Sequence, residues 1–207
     1  TQRSLLGRIN YYEQALDFAE TALPAMLDRE PVSTEKAWNI VLGAFQAGQI
    51  WPIRISGATY QEVQAAGMLD LISTKTVMTK LSNYYEVSAF DVDVIAGDSP
   101  PYRDMIRERM SWSIQKHIWN NNCQSDLVNE DDGGFVFSLE HCAKPDLDNE
   151  ILEAVNQFRS DIDLQNKLRG RMSQLMVVIA SFSRQVQHIE GIIHDLQYPI
   201  SSPDLPN

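Results

Sequence analysis

The chain has 207 residues, 43% of them hydrophobic, with 10 Gly and 9 Pro, which is apolar material for one core rather than several domains. Its formal charge of -11 and pI near 4.7 exclude the clustered basic surface that a nucleic-acid partner requires, and an anionic membrane surface would repel it. The apolar run from Leu175 to Phe182 falls far short of the roughly 20 residues of a membrane span.

The first expected element is a helix over RSLLGRINYYEQALDFAETALPAML, where Leu5, Ile9, Tyr12, Leu16, Ala19 and Leu23 alternate spacings of four and three and form a packing seam. Pro24 and the EPVS stretch at Glu30 to Ser33 are expected to end it. Ser33 is a good N-cap for a second helix that turns Trp38, Val41, Leu42 and Phe45 inward, and Gly48 stops that helix. The Trp51-Pro52 pair then demands an extended connection.

The stretch TYQEVQAAGMLDLISTKTVMTKLSNYY, Thr59 to Tyr85, reads as a joint between helices. Thr59 and Glu62 have the spacing of a capping box, Gly67 suits a left-handed C-cap, and Ser73 caps a further helix with Val77, Leu81 and Tyr84 on one face. Capping and a glycine hinge account for these residues without a ligand.

Beyond Tyr85 the acidic SAFDVDVIAGDSPP is expected to be an irregular connection, with Pro100 and Pro101 opening a helix that runs to about Trp119. Trp112 and Trp119, seven apart, with Arg103, Arg107 and Arg109 on the same helix, are the candidate ligand-binding residues. Aromatic rings and guanidinium groups together suit an acidic or aromatic ligand; the alternative is that aromatics at this spacing fill the core.

The segment CQSDLVNEDDGGFVFSLEHC carries strand-like residues around Asp132-Gly133, a two-residue hairpin turn. A turn centred there sets Cys123 directly opposite Cys142, with Cα atoms about 4.5 to 5.5 Å apart, a distance that a disulfide bridges. Such a clamp contributes about 3 kcal/mol in the chain-entropy model. Two reduced thiols, or a metal site adding His141 and Asp126, are the alternatives, although no CxxC pair points to zinc. The acidic run from Asn129 to Gly134 lacks the ligand pattern of an EF-hand and reads as an exposed turn.

The last segment is expected to be helical from about Leu147 to Tyr198. Leu168, Met172, Leu175, Ile179, Phe182, Val186, Ile189, Ile193 and Leu196 form a seam, while Ile151, Val155, Phe158 and Ile162 follow the rhythm in another phase, so a break is expected between Lys167 and Gly170. His188, Glu190, His194 and Asp195 lie close in sequence, but imidazoles six residues apart do not share a helix face. The expected architecture is one domain over residues 1–198, mainly α: a helical bundle with long first and last helices and one small β-hairpin insertion at about 123–142. Residues 199–207, with Pro203 and Pro206, form a tail.

The succession of features from Thr59 to Tyr85 resembles an uncharacterised family of bacterial proteins with a short N-terminal part, one membrane-spanning helix and a helical soluble domain. The resemblance rests on Thr59, Tyr60 and Glu62 opening a short helix, Gly67 closing it, Leu69, Leu71 and Ile72 following, and Leu81 preceding Tyr84 and Tyr85. Val63 and Met68 depart from the pattern, and the cysteine hairpin lies outside it. The resemblance implies a spanning helix upstream of Thr1 and a soluble domain at the bacterial inner membrane, periplasmic, with a cytoplasmic domain as the alternative. It carries over no catalytic residue.

No GxSxG, Walker loop, GxGxxG or HExxH occurs, and no metal or cofactor is expected. The expected function is that of a non-enzymatic soluble domain of a membrane-anchored protein, acting by protein contact or small-ligand sensing. The alternatives are a helical enzyme with a dispersed carboxylate and histidine site, or a structural subunit that forms homo-oligomers through its helix seams.

Overall fold

Two long helices run antiparallel along the molecule, because each carries an apolar face that the other covers over part of its length. The computed structural model describes residues 2–51, 57–68, 75–95, 100–121, 123–128 and 135–197. The long pair is α1 (Gln2–Leu27) and α8 (Ile162–Gln197). Gln2 donates to Glu190 at one pole, the rings of Tyr12 and Phe182 stack at 5.9 Å, and Arg159 just ahead of α8 reaches the Ala25 carbonyl at the other pole.

Between them come α2 (Thr34–Ala47), α3 (Ala58–Ala65), α4 (Lys75–Ile95), α5 (Pro101–Glu108), α6 (Trp112–Asn120), strands β1 (Gln124–Val128) and β2 (Phe135–Leu139), and α7 (Asp148–Ser160). The result is the expected helical bundle with one antiparallel two-stranded hairpin. The core is built on α2, which is buried nearly all round from Ile40 to Ala47 and packs on Ala19, Ala22 and Met26 of α1, Tyr102 and Ile106 of α5, and Ile151, Val155 and Phe158 of α7. A second cluster of Leu5, Tyr12, Phe18, Leu175 and Phe182 continues it along the α1/α8 seam. Farther along α8, Val77 and Tyr84 of α4 close on Ile192, and Lys80 pairs with Asp195 at 2.6 Å. No described helix is long and apolar enough to cross a membrane.

Local chemistry explains where the elements begin and end, and several expectations are corrected. Ser33 does cap α2, its Oγ accepting from Lys36 N, and Gly48 does close it. Pro24, by contrast, lies inside α1, which runs on to Leu27; the missing N–H falls on an exposed face. Thr59 and Glu62 form no capping box, because α3 starts at Ala58 behind Gly57 and has no side-chain cap. Gly67 has φ 65°, with Met68 N bonded to Val63 O and Gly67 N to Gln64 O, the paired bonds of a Schellman ending. Ser73, Leu69, Leu71 and Ile72 lie outside the described residues, as do Asp132-Gly133 and the tail.

The stretch after Tyr85 is helical, since α4 continues to Ile95. The single helix expected from Pro101 to Trp119 is two: α5 ends at Arg109, and Ser111 starts α6 by accepting from Ile114 N. The last break comes not at 167–170 but at Asp161, whose carboxylate accepts from Leu164 N and starts α8, a better stop than an exposed glycine. Ile193 and Leu196, placed on the seam by periodicity, are exposed beyond the end of α1.

Hairpin register is the remaining correction. Gln124 faces Leu139 and Val128 faces Phe135, two residues off the register that a turn centred on Asp132-Gly133 imposes. Cys123 is therefore not directly opposite Cys142; its carbonyl accepts from Glu140 N. The disulfide forms nonetheless, with Cα atoms 5.0 Å apart, the two cysteines flanking the hairpin just beyond its paired residues. This pairing removes both thiols from any metal site. Trp38 Nε1 donates to the Cys142 carbonyl and Gln46 Nε2 to the Cys123 carbonyl, which binds the hairpin base to α2.

Candidate functional site

Side chains from distant parts of the chain converge where α2 ends. A helix leaves its last carbonyls without intrahelical donors, and the C-terminus of α2 is buried, so donors must come from neighbouring elements. A Cβ on Gly48 would stand 3.3 Å from the Phe45 oxygen and 3.4 Å from Arg103 Cα, so the glycine lets α5 approach closely here. Arg171 of α8 donates through Nε to the Ala47 carbonyl at 3.1 Å and through Nη2 to the Gln49 carbonyl at 2.7 Å, while its Nη1 reaches Gln174 Oε1. Arg103 donates through Nη1 to the Gly48 carbonyl at 3.1 Å and to Gln49 Oε1 at 3.0 Å. Arg107 approaches the same Oε1 with Nη2 at 3.4 Å and lies 5.4 Å from the centre of the Phe45 ring.

From α1, Arg8 donates to the Trp51 carbonyl and covers the Trp51 ring at 4.3 Å, and Tyr12 Oη bonds both the carbonyl and the N–H of Trp51. Tyr11 stands edge-on to Trp51. Beneath them Tyr102 Oη donates to the Ala44 carbonyl.

The electrostatics of this junction run against the acidity of the chain. Burial, and then the like charge of Arg103, lowers the Arg107 guanidinium to about 10, with Asp104 opposing by less. Burial lowers Arg171 to about 10 as well, against the pull of Tyr12 and Tyr11. Arg103 is lowered chiefly by burial. Tyr11 is pushed up by burial and by Tyr12, with Arg103, Arg171 and Arg107 pulling it back, so its hydroxyl lies within the fields of all three cations. None of Arg103, Arg107 and Arg171 forms an ion pair with a carboxylate among the described residues.

The residues singled out from sequence divide. Arg103 and Arg107 belong to the junction. Trp119 is half-exposed and meets Phe45 edge-on at 6.1 Å, on the flank of the same ring that Arg107 covers. Arg109 and Trp112 are elsewhere: Arg109 pairs with Asp161 at 3.0 Å and with Glu108, and Trp112 is 71% exposed at the start of α6. The break at Ser111 separates them, since α6 leaves α5 in a new direction. Gln49, Arg171 and Tyr11 carry most of the junction and were not identified from sequence, although Arg171 interrupts the apolar rhythm between Leu168 and Leu175, which is a readable signal.

Two other features are weaker. A groove of about 450 Å³ between α1, α2 and the hairpin is lined by residues including Asp17, Phe18, Asn39 and His141, and apart from the half-buried Gln14 its polar members are exposed. His117 bonds the Ala143 carbonyl and Asn121, and Asp195 is held by Lys80 and His194; among the described residues no three His, Cys, Asp or Glu side chains gather as a metal site. No family model, curated protein or solved structure matches this chain.

Proposed function

We propose that this chain is a non-enzymatic soluble domain of a bacterial membrane-anchored protein, set on the periplasmic side, which senses a small ligand at the C-terminal end of α2. The observation that carries the sensing role is the convergence of Tyr11, Gln49, Arg103, Arg107 and Arg171, drawn from α1, the turn after α2, α5 and α8, on one partly buried polar junction. A group bound there lies beside the bonds that tie the end of α2 to α8 through Arg171, and a packed antiparallel pair passes a shift on as a piston or rotation. The Cys123–Cys142 disulfide supports an oxidising compartment, and the anchor itself rests on the resemblance of the 59–85 segment.

The test is a thermal-shift screen of the intact chain against neutral, cationic and anionic small molecules. A ligand that binds only the folded state raises Tm with its concentration, and the reading predicts at least one saturable hit that a Gln49 substitution abolishes. A screen without saturable hits contradicts it. Protein contact is the second reading, favoured by Trp112 at 71% and Met176 at 63% exposure; where the partner is a second copy of this chain, as in a structural subunit, the mass rises with protein concentration.

A further inference from the structure

We infer that the junction at the end of α2 is a binding site for a small oxyanion, a carboxylate or phosphate group of a small ligand, held by Arg103, Arg107 and the side-chain amide of Gln49. The inference rests on the ligand-sensing reading and adds the chemistry of what is sensed.

The donors outnumber the acceptors. Guanidinium groups carry five N–H donors and accept nothing. Arg171 is the best satisfied, each of its three nitrogens holding an acceptor. Arg103 uses only Nη1, and Arg107 has a single bond, at 3.4 Å, longer than a good N–H to O contact. Gln49 is 1% exposed, and its Nε2 has no hydrogen-bond partner among the described residues. Turning the amide over does not help, because Oε1 is the group that accepts from both arginines, and exchange would aim donors at donors.

Helix capping explains only part of this. It accounts for Arg171 and for one nitrogen of Arg103, which cover the carbonyls of Ala47, Gly48 and Gln49. It leaves Arg107, half-buried beside a like charge, with one long bond to the protein, and it leaves the Gln49 amino group buried without an acceptor. One oxyanion answers both: planar guanidinium groups bind carboxylate and phosphate through paired N–H bonds, and a turn of the Gln49 side chain, whose Nε2 has no accessible surface here, brings that amino group to a second oxygen. Tyr11 lies within the field of the three cations, and burial pushes its hydroxyl further up from its ordinary range. Buried polar groups without partners are uncommon in folded proteins and point to an unplaced partner.

The experiment is calorimetric titration of the intact chain with sodium phosphate and, separately, sodium succinate, with ionic strength held constant by chloride. The expected result is saturable binding of at least one, weakened tenfold or more in Arg107→Gln and unchanged in Arg109→Gln, whose side chain faces Asp161. Tighter phosphate binding identifies a phosphoryl ligand, tighter succinate binding a carboxylate. Gln49→Glu supplies an internal carboxylate; it is expected to raise Tm without ligand and to lose anion binding. Absence of saturable heat from both probes, or equal binding by wild type, Arg107→Gln and Gln49→Glu, overturns the inference. If a neutral compound then binds in the thermal-shift screen, ligand sensing stands and only its anionic character falls; if nothing binds, both fall.

Discussion

The carbonyl oxygen of Gln49 accepts a hydrogen bond from Arg171 Nη2 at 2.7 Å, joining α2 to α8 across 122 residues of chain. The same guanidinium covers Ala47, so its removal strips two buried carbonyls of their donors. Arg171→Met keeps much of the stem volume and is expected to cost about 3 kcal/mol, since bonds to a charged donor are worth roughly 1.5 to 3 kcal/mol each and part is regained by no longer burying the charge. Arg171→Lys is expected to fall between the two, because an ammonium cannot span both carbonyls. Urea midpoints check this, and a loss below about 0.5 kcal/mol, within the scatter of ordinary surface changes, contradicts the capping role.

The Cys123–Cys142 bridge is separated by 19 positions and ties the hairpin base to α2 through Trp38 and Gln46. Reduction is expected to lower stability by about 3 kcal/mol, the entropy of reopening a loop of this length. Urea unfolding with and without dithiothreitol measures it, and the double Cys123→Ala, Cys142→Ala variant should respond to neither condition. Identical curves for the oxidised and reduced wild type count against the clamp.

Asp161, between α7 and α8, accepts from Leu164 N of α8 and pairs with Arg109 at the end of α5. These bonds hold its carboxyl below the ordinary carboxylate range, the backbone bond from Leu164 contributing most, against a smaller opposing effect of burial. A lowered folded value means that the stabilisation is present above the ordinary pKa and is lost as pH falls through the folded one. Asp161→Ala is expected to cost about 1 kcal/mol near neutrality, the usual value of an N-cap. Asp161→Asn keeps the cap but cannot titrate, so its stability should decline less than wild type on acidification. Parallel acid limbs for wild type and Asp161→Asn are the contrary outcome.

At Gly67 the backbone has φ 65° and no atom lies within 4 Å of the position a Cβ would take. Space is therefore no obstacle, and the whole penalty of a side chain is conformational. Gly67→Ala is expected to cost about 1 kcal/mol and Gly67→Asn less, because asparagine tolerates the left-handed region. Chemical denaturation ranks the three; an alanine variant as stable as wild type rules out the strain assigned to this turn.

Periodicity made the bundle legible: α1, α2, α7 and α8 all announce themselves by apolar residues three and four apart, and Ser33 and Gly48 mark the ends of α2. Breaks were harder to see. Ser111 and Asp161 each interrupt a continuing apolar rhythm with one capping side chain, and that signal is short beside a helix-long pattern. Hairpin register failed for a different reason, since an attractive turn dipeptide does not by itself fix the pairing, which the strand residues on both sides also decide. The junction was half visible. Arg103 and Arg107 stood out as cations on one helix, whereas their companions lie 54 and more residues away and meet only through the fold.

The most direct test of ligand sensing at the end of α2 is a side-chain nitrogen spectrum of the intact chain, following the Nε–H signals of Arg103, Arg107 and Arg171 and the Gln49 amide while phosphate or succinate is added. The account predicts saturable shifts of Arg107 and Gln49 first, spreading into backbone amides of α1 around Tyr11. Shifts confined to the groove beside Phe18 and His141, or to Trp112, with the junction signals unmoved, would contradict it.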